Sequence, residues 1–391
     1  MADFNTKGTI VVTCYPYLSE YLAQELNSLG FSECIAGPTS VSITGTLYDC
    51  IALNVNLRTA SRVLFTLWSS PCSDLQNLYQ QITDYNWENY VAKSGYFSIT
   101  SSARHPEVKN TMYLNMRVKD AIADRFMRLY NVRPDSGSAK SGVSVHILWK
   151  DNTVTVSIDT SGESLSKHGY RLHPGKAPLQ ECIGAGLILA SKWDRKSTFI
   201  NPMCGSGTLA IEAALMVKRI PPGSFRTEYA FKHLIGFENK MYEQIVEKIP
   251  KDYLNADKPI IIASDINPDY IEAAKANAEI AGVADMIQFE CCDFAETAVP
   301  EGGGIVIINP PYGERLGEID DLLLLYKRIG EFFKKKCGGK FGFVLTSEKE
   351  LAAQIGLKAS ARIPIMNADI ECRLLKYELY AGSRKKVNPD S

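Results

Sequence analysis

Residues 305–308 are four consecutive branched apolar residues, and the sequence Asn-Pro-Pro-Tyr follows them directly at 309–312. A short apolar run of this kind is typical of a fully buried strand. Two successive prolines have no N–H groups to donate to a ladder, so the chain must leave the sheet at a fixed point. The pattern therefore predicts a central strand of an α/β sheet that ends abruptly beside polar side chains.

The residues after this strand offer hydrogen-bond acceptors and a flat ring. In a doubly wound sheet, ligands bind beyond the carboxyl ends of the strands, so we expect the active edge there. The side-chain oxygen of Asn309 and the main-chain carbonyl of Pro310 can accept hydrogen bonds, and Tyr312 offers a face for stacking a base. This set suits an exocyclic amino group on a planar ring. A plain strand-to-turn exit is the simpler interpretation of a lone motif, so the segments upstream decide between the two.

A glycine turn joins a predicted strand at 198–201 to a predicted helix at 209–217. The turn itself, residues 202–208, reads Pro-Met-Cys-Gly-Ser-Gly-Thr. Glycines in such a turn let backbone N–H groups approach a ligand closely, and the helix N-terminus favours a negative group. The turn lacks the Lys-Ser/Thr pair of a phosphate-binding loop, which disfavours nucleotide hydrolysis.

Two further predicted strands end in carboxylates, at Asp265 and Asp293. The first carboxylate can accept both hydroxyls of a ribose, and an acceptor at the second position can take an adenine amino group. In nicotinamide enzymes such an acid lies about 20 residues after the glycines, whereas Asp265 lies 58 residues after Gly207. Each acid also has a simpler interpretation, since Asp265 can cap the helix predicted at 269–281 and Asp293 can be a loop carboxylate.

The sequence before residue 161 predicts two α+β units. The first covers residues 1–42. The second covers 43–160, has a hairpin around 150–152, and contains no nucleophile, metal cluster or phosphate loop. We interpret the second unit as a binding module that precedes a catalytic domain at 161–391. Residues 219–257 interrupt that domain, and the sequence does not say whether they bind a ligand or only pack.

A basic run in the second unit has two interpretations. Its seven basic residues are Arg104, Lys109, Arg117, Lys119, Arg125, Arg128 and Arg133. They form either the solvated face of a helix or a surface that contacts phosphates. The run alone favours the solvated face.

Composition bounds the class of protein. With 391 residues the chain exceeds the roughly 250–300 that one core supports, so several domains are expected. The net charge is -1, so any contact with nucleic acid must use local patches. No apolar run approaches about 18 residues, and the polar start has no signal-peptide core. The five histidines and ten cysteines show no metal-ligand spacing. We therefore expect a cytoplasmic protein without a metal or a membrane segment.

Together these motifs resemble a known family. Residues 309–312 resemble the catalytic motif of amino-group methyltransferases that use S-adenosylmethionine. The order of glycine turn, Asp265, Asp293 and catalytic motif on four successive strand ends resembles the class I methyltransferases. Segments 169–171 (Gly-Tyr-Arg) and 177–181 (Ala-Pro-Leu-Gln-Glu) resemble the junction of THUMP-containing RNA methyltransferases.

The resemblance implies a fold and an activity. The fold is α/β, with a C-terminal Rossmann-like class I methyltransferase domain on a mostly parallel seven-stranded sheet, one strand near its edge being antiparallel. A ferredoxin-like unit and a THUMP RNA-binding domain precede it. The bacterial 23S rRNA guanine-N2 methyltransferases match this domain order, which implies methyl transfer from S-adenosylmethionine to the exocyclic N2 amine of a guanine.

The resemblance also implies the site residues. The catalytic residues are Asn309, Pro310 and Tyr312. The residues that bind the cofactor are Asn201, Met203, Cys204, Gly205, Ser206, Gly207, Thr208, Asp265, Ile266, Asp293, Phe294 and Asn309. Asn201 departs from the pattern, because many relatives carry Asp there. An Asn can still orient the turn and accept from the cofactor's ammonium, but without the charge.

Several other functions stay open at this stage. A tRNA guanine-N2 methyltransferase has the same domains and motifs. A DNA adenine-N6 methyltransferase uses the same catalytic motif, but the THUMP-like block argues against DNA as the substrate. A non-catalytic ribosome-assembly factor that keeps the fold is disfavoured by the intact motif and glycine turn. An NAD-dependent oxidoreductase is disfavoured by the Asp265 spacing. The sequence gives no oligomeric state and no target nucleotide.

Overall fold

The computed structural model describes residues 2–139, 141–173, 179–249, 260–311 and 319–380. These residues fold into two units, each built on its own sheet. The first unit contains the described residues of Met1–Tyr15, Leu22–Ser166 and Pro221–Ile249, and the second contains those of Pro16–Tyr21, Lys167–Ile220 and Pro250–Ser391. The predicted domain limits after residues 42 and 160 stay a prediction.

An eight-stranded sheet forms the first unit. Its strands are β1 (Gly8–Cys14), β2 (Ile35–Ala36), β3 (Ser40–Gly45), β4 (Ala60–Pro71), β5 (Tyr96–Arg104), β6 (Asp135–Gly137), β7 (Val143–Lys150) and β8 (Thr153–Asp159). Their order across the sheet is β2-β3-β1-β4-β8-β7-β5-β6. The long strand β4 pairs with β1 on one side and with β8 on the other, so the two predicted N-terminal units share one sheet.

Four helices follow or connect these strands. They are α1 (Ser19–Ser28), α2 (Leu47–Asn56), α3 (Leu75–Asp84) and α4 (Thr111–Tyr130). Polar residues start three of them, as N-cap preferences predict. Thr46 and Asp49 form a reciprocal capping box on α2, and the side chains of Asp74 and Asn110 cap α3 and α4.

One member of the basic run is a structural residue. Arg125 on α4 is buried, and its guanidinium donates to both carboxylate oxygens of Glu88 at 2.7 Å. It also donates to the backbone carbonyls of Thr83 and Asp84. Because the guanidinium is occupied inside the unit, Arg125 is not part of a surface that contacts phosphates.

A seven-stranded sheet forms the second unit. Its strands are β9 (Thr198–Pro202), β10 (Ile261–Asp265), β11 (Ile287–Cys291), β12 (Gly304–Ile308), β13 (Phe341–Thr346), β14 (Ala361–Asn367) and β15 (Ile370–Glu378). Their order is β11-β10-β9-β12-β13-β15-β14, with β9 to β13 parallel and β15 antiparallel to both of its neighbours. This confirms the predicted mostly parallel sheet with an antiparallel strand near its edge.

The helices of the second unit follow its strands in the alternation that parallel sheets require. They are α5 (Glu181–Ser191), α6 (Thr208–Val217), α8 (Pro268–Ile280), α9 (Ile319–Lys336) and α10 (Lys349–Gln354). The chain runs outward from β9 through β10 to β11 and then returns to the other side of β9 as β12. The strand order therefore reverses between β9 and β12, and ligands of such sheets bind at this reversal.

The segment between β9 and β10 rejoins the first unit. Residues 221–249 include the short helix α7 (Asn239–Glu247), whose Ile245 is buried. Arg226 donates to the carbonyl oxygens of Glu163 and Ser164, at 3.0 and 2.7 Å. Residues 221–249 of the 219–257 insertion therefore pack within the first unit.

Among the helices that the structure describes, none has the length and apolarity needed to cross a membrane.

Candidate functional site

The site lies where β9 and β12 end side by side. The two strands pair in parallel from Thr198 and Gly304 to Ile200 and Val306. Beyond that pair, β9 leads into the glycine turn and β12 leads to Asn309. The fold thus brings together the two sequence motifs that lie about a hundred residues apart in the chain.

The glycine turn holds left-handed backbone conformations in quick succession. Met203, Gly205 and Gly207 have φ angles of 57°, 54° and 85°. A Cβ on Gly207 would lie 2.9 Å from the Cβ of Ala274 on α8, so only glycine lets α6 and α8 approach this closely. A Cβ on Gly205 would meet no described atom within 4 Å, so this part of the turn faces open space.

Asp265 fastens the end of β10 to the glycine turn. One carboxylate oxygen accepts from the backbone N–H of Gly205 at 3.0 Å, and the other accepts from the N–H of Asn267 at 3.0 Å. The cap of α8 is the side chain of Asn267, which accepts from the N–H of Asp269. The interpretation of Asp265 as that helix cap is therefore wrong. The neighbouring Ile266 side chain is 70% exposed at the same edge.

Asp293 lies just beyond β11 and is held from two sides. Its Oδ1 accepts from the N–H of Ala295 at 2.9 Å and from the guanidinium of Arg328 on α9 at 2.8 Å. Partial burial disfavours the charged carboxylate, but these two hydrogen bonds outweigh it and lower the pKa of Asp293. Phe294 is buried, and the Arg328 guanidinium lies over its ring at 5.0 Å. The carboxylate is thus fixed, rather than a mobile loop group.

Asn201 is almost fully buried at the end of β9, with 1% of its surface exposed. Its side-chain Nδ2 donates to the backbone carbonyl of Ile307 on β12 at 3.0 Å. Its Oδ1 has no hydrogen-bond partner among the described residues. A buried amide oxygen without a partner costs free energy, so a donor at this position would be favoured.

Asn309 and Pro310 end β12 at the same edge. Asn309 is half-buried, and its Oδ1 atom is buried without a hydrogen-bond partner in the described part of the chain. Pro310 is buried. Tyr312, the third predicted catalytic residue, lies outside the described residues, so its role stays a prediction.

The N-terminus of α6 is braced by an arginine that the sequence analysis quoted only as part of a junction. Arg171 donates to the Oγ1 of Thr208 and to the carbonyl of Leu179, each at 2.7 Å. The buried carboxylate of Glu181 lies 3.7 Å from its Nε atom. The brace fixes the start of the helix whose N–H groups face the site.

A second supporting residue, Asn277 on α8, is missing from the sequence analysis. Its Oδ1 accepts from the N–H groups of Leu172 and His173, and its Nδ2 donates to the carbonyl of Ser206 at 3.2 Å. A polar residue on the buried face of an amphipathic helix is the signal that was available for finding it.

A buried polar pair lies further behind the turn. His168 Nδ1 lies 2.7 Å from Glu212 Oε1 on α6, and both side chains have no exposed surface. Burial, followed by the charges of Glu212 and Glu181, raises the pKa of the Tyr170 hydroxyl well above its usual value. These groups lie in the interior, so they support the turn and do not face a ligand.

The arrangement can bind a nucleoside-like ligand along one edge of the sheet. Backbone N–H groups and carboxylates line the ends of β9, β10 and β11, and two buried amide oxygens lie at the ends of β9 and β12. Amide and carbonyl oxygens can orient an amino group but cannot take its proton at neutral pH. Within the described residues, no three His, Cys, Asp or Glu side chains cluster in a way that could hold a metal ion.

Family models match three successive parts of the chain. An RMKL-like methyltransferase domain matches residues 168–376, more than half of the chain. The RlmL ferredoxin-like domain matches residues 9–64, and the THUMP domain matches residues 72–159.

A curated relative and two solved structures are similar over most of this chain. The ribosomal RNA large subunit methyltransferase K/L of Shewanella baltica (strain OS195) is 34% identical over 372 residues, which cover 94% of this chain and 52% of the relative. The structure of a candidate methyltransferase complexed with SAH is 25% identical with a TM-score of 0.86, covering 96% of this chain and 99% of the other. A predicted N6-adenine-specific DNA methylase from Listeria monocytogenes is 28% identical with a TM-score of 0.85, covering 97% of each chain.

Proposed function

The chain belongs to the RMKL-like methyltransferase family, and from that premise we propose that it methylates the exocyclic N2 amine of a guanine in 23S rRNA. The predicted order of ferredoxin-like, THUMP and methyltransferase domains is confirmed. The chain spans about half the length of the curated relatives it matches, so the rRNA activity in their names is a proposal for this chain. The observation that most directly supports this proposal is the buried amide oxygen of Asn309, which has no hydrogen-bond partner among the described residues and lies beside the strand that leads into the glycine turn.

We propose S-adenosylmethionine as the cofactor. It supplies an electrophilic methyl group on a sulfonium. The glycine turn leaves space at Gly205 among the described residues for a ligand to approach closely, the carboxylate of Asp265 keeps lone pairs for ribose hydroxyls, and the fixed edge of Asp293 and Phe294 receives the adenine. The unpartnered Oδ1 of Asn201 can accept from the ammonium. The donors and acceptors present therefore fit the chemistry of this cofactor.

The amino group of guanine is a poor nucleophile because its lone pair is delocalised into the ring. Asn309 Oδ1 and the carbonyl oxygen of Pro310 accept hydrogen bonds from the two N–H groups of this amine. This arrangement turns the lone pair of the nitrogen toward the methyl group. The proton leaves once the nitrogen carries four bonds, so no strong base is required. Positioning of this kind supplies about 7–11 kcal/mol in favourable cases. We propose that Tyr312 stacks on the base.

The target base must leave its stack to reach the end of β12. Extrusion of a base costs a few kcal/mol and is least costly in single-stranded or locally opened RNA. The THUMP match in the first unit supports RNA as the partner. The ribosomal RNA in the name of the bacterial relative supports a cytoplasmic site of action. We propose that this unit holds the RNA while the target base enters the second unit.

Adenine N6 is the second candidate, because it is also an exocyclic amino group and the Listeria relative bears that name. The THUMP match disfavours duplex DNA as the substrate. A tRNA guanine remains the alternative within RNA. Guanine N7 carries no hydrogen, so two acceptors have nothing to orient there, and for this reason we favour N2 over N7.

Methyl transfer from labelled S-adenosylmethionine tests the proposal. The substrates are unmodified large-subunit rRNA, tRNA and duplex DNA, and the product nucleosides are separated. Label in N2-methylguanosine from rRNA supports the proposal. Label in tRNA, in N7-methylguanosine or in DNA adenine replaces it with the corresponding alternative. Cofactor binding without transfer to any substrate favours an assembly factor.

A further inference from the structure

The backbone pairing of β9 with β12 stops at the point where the site begins. The last backbone pair joins Ile200 to Val306. β9 then ends at Pro202, which has no N–H group and so cannot donate to a carbonyl of β12. The carbonyl of Ile307 at the end of β12 therefore needs a donor other than a backbone N–H group of β9.

Asn201 supplies that donor from its side chain. Its Nδ2 donates to the carbonyl of Ile307 at 3.0 Å, one step beyond the last backbone pair. Both residues are buried, so no solvent replaces this hydrogen bond if it is lost. The bond ties the strand that enters the glycine turn to the strand that ends in Asn309.

We infer that Asn201 is a positioning residue that fixes the end of β12 and thereby sets the place of the Asn309 amide, an inference that rests on the proposed function. Asn309 follows Ile307 by two residues, and Pro310 and Pro311 after it have no N–H groups to anchor them. Among the described residues, the side chain of Asn201 thus anchors β12 two residues before the Asn309 amide, on the β9 side.

The donor role requires an amide rather than a carboxylate at position 201. A carbonyl oxygen can only accept, so the group that faces Ile307 must carry hydrogen. A charged Asp would place an acceptor against that carbonyl and leave both groups buried without a partner. Asn201 therefore acts through its NH2 group, whereas a cofactor contact would use its Oδ1.

The two roles predict opposite results for one substitution. Asn201→Asp and Asn201→Ala both remove the donor, and Asp keeps the acceptor. We expect both variants to lose kcat by on the order of tenfold to a hundredfold, because small misplacements of reacting groups have effects of that size. The dissociation constant for S-adenosylmethionine should stay within about threefold of wild type in Asn201→Asp. Wild-type kcat in Asn201→Asp overturns the inference.

A second substitution can restore the missing donor. Pro202→Ala returns a backbone N–H to the end of β9, and it serves alone as the matched control. In the double variant Asn201→Ala with Pro202→Ala we expect kcat to recover by about threefold or more over Asn201→Ala, a coupling that the two single changes lack. Additive losses would count against the inference, since a merely structural role gives no rescue.

Hydrogen exchange separates this inference from the proposed function. We expect faster amide exchange in the peptide covering 304–311 of Asn201→Asp, with peptides from β10 and β11 unchanged. Unchanged exchange at 304–311 overturns the inference whether or not the wild type is active. Faster exchange together with a wild type that methylates none of the nucleic acids overturns the proposed function and leaves the anchor in place.

Discussion

Arg328 on α9 donates a hydrogen bond to Asp293 at 2.8 Å and lies over the ring of Phe294, so one side chain orders both residues of the proposed adenine edge. In Arg328→Gln the pKa of Asp293 should rise toward its ordinary value. A carboxylate with a lowered pKa adds stability above its unfolded pKa, and this stability is lost as the pH falls through the folded value.

The variant should therefore be less stable than wild type at neutral pH and equal to it once the pH falls below the folded pKa of Asp293. Because Arg328 is 44% exposed, solvent screens the pair, and we expect a loss of at most about 1 kcal/mol. Urea unfolding at a series of pH values measures the difference. Lys275→Gln, which breaks an exposed pair with Glu272 on α8, is the control. A difference that persists at low pH contradicts this account.

Asn309→Ala removes the amide that we propose orients the amino group. We expect methyl transfer to fall below detection, while the affinity for S-adenosylmethionine stays within a few fold, since the remaining cofactor contacts are intact. Single-turnover transfer and equilibrium binding are the two measurements. Retained turnover would end the assignment of Asn309 as the catalytic residue.

Asp265→Asn disturbs the tie between β10 and the glycine turn. Both carboxylate oxygens now accept backbone N–H groups, and an amide can present an acceptor to only one of them. We expect S-adenosylmethionine affinity to fall by on the order of tenfold or more. Asn267→Ala removes the cap of α8 but keeps its own N–H, so it should cost about 1 kcal/mol of stability with little change in affinity. Equal affinity losses in both variants would contradict the assignment.

Alanine at the two glycines of the turn should lower stability by different amounts, and we expect the smaller loss to come with weaker cofactor binding. Gly207→Ala places a Cβ 2.9 Å from Ala274 at a φ of 85°, and we expect a loss of about 2–4 kcal/mol in the free energy of unfolding. Gly205→Ala points into open space among the described residues, so its stability loss should be only about 1–2 kcal/mol. It should nevertheless weaken S-adenosylmethionine binding, because the Cβ occupies the ligand's approach. Thermal unfolding and calorimetric titration separate the two effects.

Arg125→Met tests which residues of the basic run are structural. It leaves Glu88 without its partner, and we expect a loss of about 2–4 kcal/mol of stability. The matched control is Arg128→Met on the same helix, whose side chain is 53% exposed and should cost less than about 1 kcal/mol. RNA affinity against salt completes the test, since loss of a phosphate contact flattens the salt dependence. The Arg125 variant should keep the wild-type salt dependence, because its guanidinium is occupied inside the first unit.

The core of the second unit is readable from the sequence because its parallel strands are apolar runs with clear punctuation. The strand predicted at 198–201 forms with one further residue, as Thr198–Pro202, and the strand predicted at 305–308 begins one residue earlier, at Gly304. No strand is predicted at 361–367, because Pro364 interrupts the pattern of strand-forming residues there. β14 forms there nevertheless, because it is an edge strand and tolerates a proline.

The sequence predicts the site residues that lie at strand ends, but it does not predict the residues that support them from the interior. Asn201, Asp265 and Asn309 stand next to strong local signals, namely strand ends and turns. Arg171 and Asn277 act through partners distant in the chain, such as Thr208 and Ser206, and no local pattern reveals which residues they reach. Likewise, Asp265 and Asn267 are equally good caps by residue type, and only the hydrogen bonds assign them different tasks.

The return of residues 221–249 to the first unit sets an order for folding during synthesis. Gly223 packs against the backbone of Val55, so part of the surface around α2 has no cover until this segment has left the ribosome. At roughly 5–20 residues per second, a nascent chain ending at Ser166 waits several seconds for it. During that wait residues 167–220 of the second unit, including the glycine turn, emerge as well. The first unit is thus completed only after this part of the second unit has been synthesised.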